Sequence, residues 1–153
     1  VSNPGENDGS LDFGQLRVGE SRRRGFALRN RGKYPVAFAL RPRRASTAGL
    51  FRIEPAVGDI APGAAVEVSL TFCSRAEVFC RGNRDIRCQI SEPRTGETVE
   101  RFDVAVTAAA TWSRFRMQPA RGVNFGAVPW DAGVQTKTFE LKNEGEADFV
   151  FAL

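Results

Sequence analysis

Histidine is absent from all 153 residues. Without it there is no Ser-His-Asp or Cys-His triad, no imidazole general base and no histidine metal ligand, which excludes most common enzyme chemistries. Cysteine is scarce. Cys73, Cys80 and Cys88 are an odd number in a chain well above the size of disulfide-stapled mini-domains. Their spacing is not the C-x-x-C of zinc ribbons, and no fourth ligand is evident, so plain buried or loop thiols in a reducing compartment are expected. No apolar run approaches the ~20 residues of a membrane-spanning helix. The polar, Gly- and Asn-rich first ten residues lack the charged-then-apolar pattern of a secretory signal. They also lack an initiator Met, as expected of a piece of something longer. No phosphate-binding glycine loop is present either: Gly122-Val123-Asn124-Phe125-Gly126 runs into a strand pattern, not a helix N-terminus. The carboxylates Glu97 and Glu100 fall on a hairpin, where solvated charge is the natural reading. No catalytic residue, cofactor or metal is expected.

What is there begins with charge. The net is only +4, but residues 1–44 hold ten basic groups against four acidic ones, and arginine greatly outnumbers lysine. Arg22, Arg23 and Arg24 form one cluster, and Arg41, Arg43 and Arg44 a second. Arginine suits bidentate contact with carboxylates or phosphates. Nucleic-acid recognition calls for aromatics interleaved among exposed arginines. Here the phenylalanines take inward strand positions, so a solvated basic face or an acidic protein partner is expected instead.

The dominant period is two, bounded by Gly, Pro and Asn. Val66, Val68, Leu70 and Phe72 alternate with Glu67, Ser69 and Thr71. Ile86, Cys88 and Ile90 repeat the pattern, as do Phe102, Val104, Val106 and Ala108. Phe26-Leu28 and Val36-Phe38-Leu40 make two more strands around the turn Asn30-Arg31-Gly32, and Phe51-Ile53 a shorter one closed by Pro55. Leu11-Asp12-Phe13-Gly14 opens the series. Asp59-Ile60-Ala61-Pro62-Gly63 reads as a turn, and residues 92–96 as a hairpin loop. About seven short strands in ~100 residues predict an antiparallel, immunoglobulin-like β-sandwich. Its inner faces would carry Phe13, Phe26, Leu28, Val36, Phe38, Leu40, Phe51, Val66, Val68, Leu70, Phe72, Ile86, Ile90, Phe102 and Val104. The Cys pair and intervening Trp of antibody domains are missing, and Trp112 and Trp130 lie beyond the last strand.

The chain also repeats itself. Leu11-Asp12-Phe13-Gly14 returns as Val123-Asn124-Phe125-Gly126, at an offset of 112 residues. Phe26-Ala27-Leu28-Arg29-Asn30-Arg31-Gly32 returns as Phe139-Glu140-Leu141-Lys142-Asn143-Glu144-Gly145, and Phe38-Ala39-Leu40 as Phe151-Ala152-Leu153, both at 113. The expected organisation is therefore a complete sandwich over 10–110, a short linker and lead-in over 111–122, and the first part of a second sandwich over 123–153. The linker is short and apolar, so Trp112 and Phe115 are expected to pack between domains.

These ordered words resemble the ASH domains, relatives of the major sperm protein fold, across nearly the whole chain. Residues 41–49 and 73–83 match none of the words. The resemblance implies an all-β, immunoglobulin-like repeat in a non-enzymatic tandem array of the ciliary axoneme. There it would brace projections of the central microtubule pair within a large multi-protein assembly. The implied location is cytoplasm and cytoskeleton, in the central apparatus of motile cilia. Implied partners are other central-apparatus proteins, with tubulin or microtubules as a further acidic surface for Arg22, Arg23, Arg24, Arg41, Arg43 and Arg44; neither nucleic acid nor membrane is expected. The alternative is an adaptor of the sperm-protein fold that captures acidic peptides on a basic sheet face built from Arg22, Arg23, Arg24 and Lys33.

Overall fold

Strands form where the period-two pattern placed them. The computed structural model describes residues 10–145 and 148–152, and the chain divides into two units, Val1–Thr111 and Trp112–Leu153. The first unit contains β1 (Ser10–Arg17), β2 (Ser21–Arg29), β3 (Val36–Pro42), the short helix α1 (Ala45–Ala48), β4 (Phe51–Glu54), β5 (Val57–Ile60), β6 (Ala65–Cys73), β7 (Val78–Ser91) and β8 (Thr98–Thr111). Five strands make one sheet in the order β1-β8-β7-β3-β5, and three make the other in the order β2-β6-β4. This is an immunoglobulin-like β-sandwich.

The alternation in β6 shows why the sheets face each other. Val68, Leu70 and Phe72 are fully buried, while Glu67 just before them is exposed and Ser69 and Thr71 between them are half-buried. Opposite them, Phe26 and Leu28 of β2 pair with Val68 and Val66 in register. The aromatic centre of the core is Phe13, Phe51 and Phe72, with ring centroids 5.3 to 5.9 Å apart. From the other sheet come Phe38, Leu40, Ile86, Cys88, Ile90, Val104 and Val106, each at most 2% exposed. Of the expected inner-face residues, Val36, Val66 and Phe102 are only partly buried and rim the core.

Three features differ from the sequence expectation. Asp59 and Ile60 do not belong to a turn: they end β5, which pairs with β3, and Ile60 is 1% exposed. Four residues with Gly and Asp at their centre carry too little alternation to read as a strand. Second, β1 pairs with β8 in parallel, so the sandwich is not wholly antiparallel. Third, the two unmatched segments extend ordinary elements. Residues 41–42 finish β3 and 45–48 form α1, while 78–83 begin a 14-residue β7 whose register against β8 slips around Asn83.

Asn30, 2% exposed, ties the sheets together at the β2–β3 turn. Its amide donates to the carbonyls of Tyr34 and Ile60, and its Oδ1 accepts the Gly32 N–H at 2.9 Å. Every polar atom of a buried asparagine needs such a partner. In the second unit, β9 (Phe115–Gln118) and β10 (Glu140–Asn143) form a two-stranded antiparallel sheet. There Asn143 Oδ1 accepts the Gly145 N–H, again at 2.9 Å. The repeated Asn-x-Gly word is thus one local device used twice.

Candidate functional site

The first arginine cluster divides by strand parity. Successive strand residues face opposite sides, so Arg22 and Arg24 share the side of Phe26 and Leu28, while Arg23 faces outward. Arg22 Nη1 donates to the Phe13 carbonyl at 2.7 Å, and Arg24 Nε to the Asp12 carbonyl at 2.9 Å. Both guanidinium groups therefore bridge from one sheet to the other along the flank where β2 meets β1. Arg23 bonds the Ser69 hydroxyl at 2.6 Å on the outer side.

What Arg22 and Arg24 hold is the bend in β1. The register against β8 shifts between Asp12 and Gln15, Gly14 has φ +66°, and its N–H bonds Asp12 Oδ1 at 2.7 Å. A Cβ on Gly14 would lie 2.9 Å from Arg22 Nη1. The second copy repeats the device with different residues. Gly126 has φ +68° and bonds Asn124 Oδ1 at 2.8 Å. Lys137 Nζ donates to the Asn124 carbonyl at 2.7 Å and sits 5.8 Å from the Phe125 ring centroid. At the 113-residue offset Lys137 stands in the place of Arg24. A cation two residues before the Phe-x-Leu strand word, bonding a bulge carbonyl, is a repeat feature invisible in the string because arginine and lysine do not look alike there.

The second cluster lies elsewhere, on the outer face of the five-stranded sheet, with two strands between β3 and β1. Arg41 and Arg43, with Ala39, Pro42, Arg87 and Gln89, line a shallow groove of about 210 Å³. Arg87 Nε bonds Asp103 Oδ1 at 2.9 Å across β7 and β8, and Arg43 Nη1 approaches Oδ2 of the same carboxylate at 3.9 Å. The hydrogen bond from Arg87, reinforced by the charges of Arg87, Arg43 and Arg84, holds the Asp103 carboxyl below its ordinary value. Arg44 turns away to Asp85 at 3.6 Å, whose carboxylate also accepts from Thr47 Oγ1 and Asn83 Nδ2. The groove is net positive: three arginines face one carboxylate. Arg87 and Asp103 escape a reading of charge runs because they arrive from β7 and β8, each as a single outward residue among apolar neighbours.

The remaining candidates have simple surroundings. Trp112 exposes 57% of its surface, and the Phe115 ring lies 5.8 Å from that of Phe149 within the second unit. Cys73, Cys80 and Cys88 are free thiols, and burial with the nearby Glu100 charge pushes Cys88 up to about 12. Among the described residues no His, Cys, Asp and Glu groups are clustered for a metal ion, and no helix is long and apolar enough to cross a membrane.

Residues 7–101 match the HYDIN/CFA65/VesB-like, Ig-like domain family. The chain belongs to that family. It is 31% identical to the human hydrocephalus-inducing protein homolog over 162 aligned residues, which covers 100% of this chain and 3% of that protein. The mouse hydrocephalus-inducing protein is likewise 31% identical, over 161 residues, with 100% of this chain and 3% of the relative covered. The chain thus spans a small fraction of the length of the curated relatives it matches. Among solved structures, the ASH/PapD-like domain 7 of human CEP192 is similar at 20% identity with a TM-score of 0.46, covering 65% of this chain and 80% of that one.

Proposed function

We propose that this HYDIN-like chain is a structural segment of a tandem immunoglobulin-like array in the ciliary axoneme. It would brace projections of the central microtubule pair through protein–protein contacts. One observation carries the reading: similarity to the hydrocephalus-inducing proteins runs through 100% of the chain, beyond the family match at 7–101 and into the second copy. A repeat that recurs within 153 residues and aligns to 3% of its relative fits a long array of such units. The role needs stable, satisfied β-sandwiches and no catalytic group. Immunogold labelling of isolated axonemes with antibodies against this chain tests it. Label along the central pair is expected; label on the outer doublets or off the axoneme overturns the assignment.

A second reading has its own observation, the net-positive groove of Arg41, Arg43 and Arg87. It fits carboxylate side chains of an acidic protein surface, tubulin included, by charge-assisted bonding. Charge reversal at Arg41 and Arg43 should then reduce co-sedimentation with microtubules at low salt, where such contacts are strongest. Unchanged co-sedimentation of that double variant excludes the groove as the contact.

A further inference from the structure

The second arginine cluster runs directly into a hydroxyl that the fold does not use. Residues 41–48 read Arg-Pro-Arg-Arg-Ala-Ser-Thr-Ala, so Arg43 and Arg44 stand three and two residues before Ser46. An Arg-Arg-x-Ser word occurs nowhere else in the 153 residues. Two guanidinium groups at a fixed spacing from an acceptor hydroxyl suit a protein kinase whose substrate cleft is lined with carboxylates. Charge-assisted, bidentate bonds then set the register that brings the hydroxyl to the reacting phosphate.

The structure decides which hydroxyl the word presents. Ser46 and Thr47 are neighbours on the short helix α1, and Arg44 stands three residues before Thr47. Thr47 is buried, and its Oγ1 donates to Asp85 Oδ2 at 3.2 Å. Ser46 is exposed, and among the described residues its hydroxyl makes no hydrogen bond. Both guanidinium groups are within reach of a partner as well. The Arg43 and Arg44 side chains are 50% and 73% exposed, and their ion pairs, 3.9 Å to Asp103 and 3.6 Å to Asp85, are longer than hydrogen bonds.

The helix is also easily opened into the extended form that a kinase cleft takes. It holds four residues, its N-cap Arg44 makes no side-chain cap bond, and its first turn has no acidic residue. A helix that short has little stability of its own. Opening it costs chiefly the bond from Thr47 to Asp85. The segment stays pinned on either side, by the Arg43 N–H on the Asp85 carbonyl at 2.7 Å and by the buried Phe51.

We propose that Ser46 is a phosphorylation site for a serine/threonine protein kinase that selects basic substrates. Ser46 Oγ attacks the γ-phosphorus of the kinase's nucleoside triphosphate. The Oγ–P bond forms, the bond from that phosphorus to the β–γ bridging oxygen breaks, and the nucleoside diphosphate leaves with that oxygen. The hydroxyl proton passes to the kinase's catalytic carboxylate. The phosphoserine carries about −1.5 to −2 charges at pH 7. It stands three residues from Arg43, which lines the net-positive groove, so modification offsets the charge of that face. The site itself does not depend on which partner the groove meets.

The test incubates the 153-residue chain with magnesium ATP and the catalytic subunit of cyclic-AMP-dependent protein kinase, and locates phosphate by peptide mass spectrometry. A free peptide of residues 40–50 runs alongside. One phosphoryl group per folded chain is expected, on Ser46, and none on the Ser46→Ala variant. Arg43→Gln with Arg44→Gln should lower kcat/KM by on the order of a hundredfold, the worth of two charge-assisted bonds. The same pair of substitutions in the free peptide should give the same loss, which separates recognition from any change in folding. The proposal is overturned by a folded chain left unmodified at Ser46, whether or not the peptide is turned over. Phosphate on Thr47 in place of Ser46, or an unchanged kcat/KM in the double variant, overturns it too.

Discussion

At the scale of single residues, charge is a poor guide to role until hydrogen bonds are known. Arg22, Arg23 and Arg24 are adjacent in sequence and all exposed, yet two of them are inter-sheet braces and one is a surface group. The glycine they support should be intolerant of substitution. Gly14→Ala places a Cβ in left-handed backbone, which costs about 1–2 kcal/mol, and sets it against the Arg22 guanidinium. A lowered urea midpoint with unchanged slope is the expected result. Asp103 gives a residue-scale prediction in pH. Its folded-state pKa is depressed by the Arg87 hydrogen bond and neighbouring arginine charge. A depressed carboxyl stabilises the fold above its unfolded pKa, and that contribution is lost as pH falls through the folded value. Asp103→Asn should therefore lower the denaturation midpoint at neutral pH and make no difference in strong acid, where the native residue is protonated too.

At the scale of elements, the strands are held by what their inward residues touch. β6 is the keystone because it is central in the three-stranded sheet and delivers Phe72 to the cluster with Phe13 and Phe51. Phe72→Ala removes a fully buried ring and should cost about 3–5 kcal/mol, measurable by calorimetry as a large drop in Tm. β7 places Cys88 inward between Ile86 and Ile90, at 0% exposure, with its pKa pushed up to about 12. The thiolate is the reactive form. Under native conditions near pH 8 a thiol reagent should consume Cys73 and Cys80, both partly exposed, and reach Cys88 only when denaturant is added. Three equally fast thiols would show that β7 is not packed as described.

At the scale of the whole molecule, the two units differ in how much core they close. The first has eight strands in two facing sheets; the described part of the second has one two-stranded sheet, with Phe139, Val150 and Phe151 exposed. A lone two-stranded ribbon is marginal in water. Limited trypsin digestion should therefore cut early at Arg114, Arg116, Lys137 and Lys142 and leave a resistant fragment ending near Thr111. Equal resistance at those four sites would contradict that picture. The internal repeat was legible in the sequence, because strand patterning and turn words survive as text. The basic groove was not, because Arg41, Arg87 and Asp103 are brought together by the order β8-β7-β3.

The sequence by itself determined the class of fold and the local devices. Alternation assigns each strand an inner face, and Asn-x-Gly and the Asp/Asn-Phe-Gly word specify turns through contacts two residues apart. Such interactions are local, so they are written in order along the chain. Only the tertiary structure decided which arginines are braces, that β1 runs parallel to β8, and that Ile60 belongs to a strand. Those outcomes depend on partners tens of residues away, and pairing across sheets is fixed by packing of the assembled core. The scarcity at the outset finds its place here too: without histidine, the polar chemistry of this sandwich rests on arginine, asparagine and backbone carbonyls.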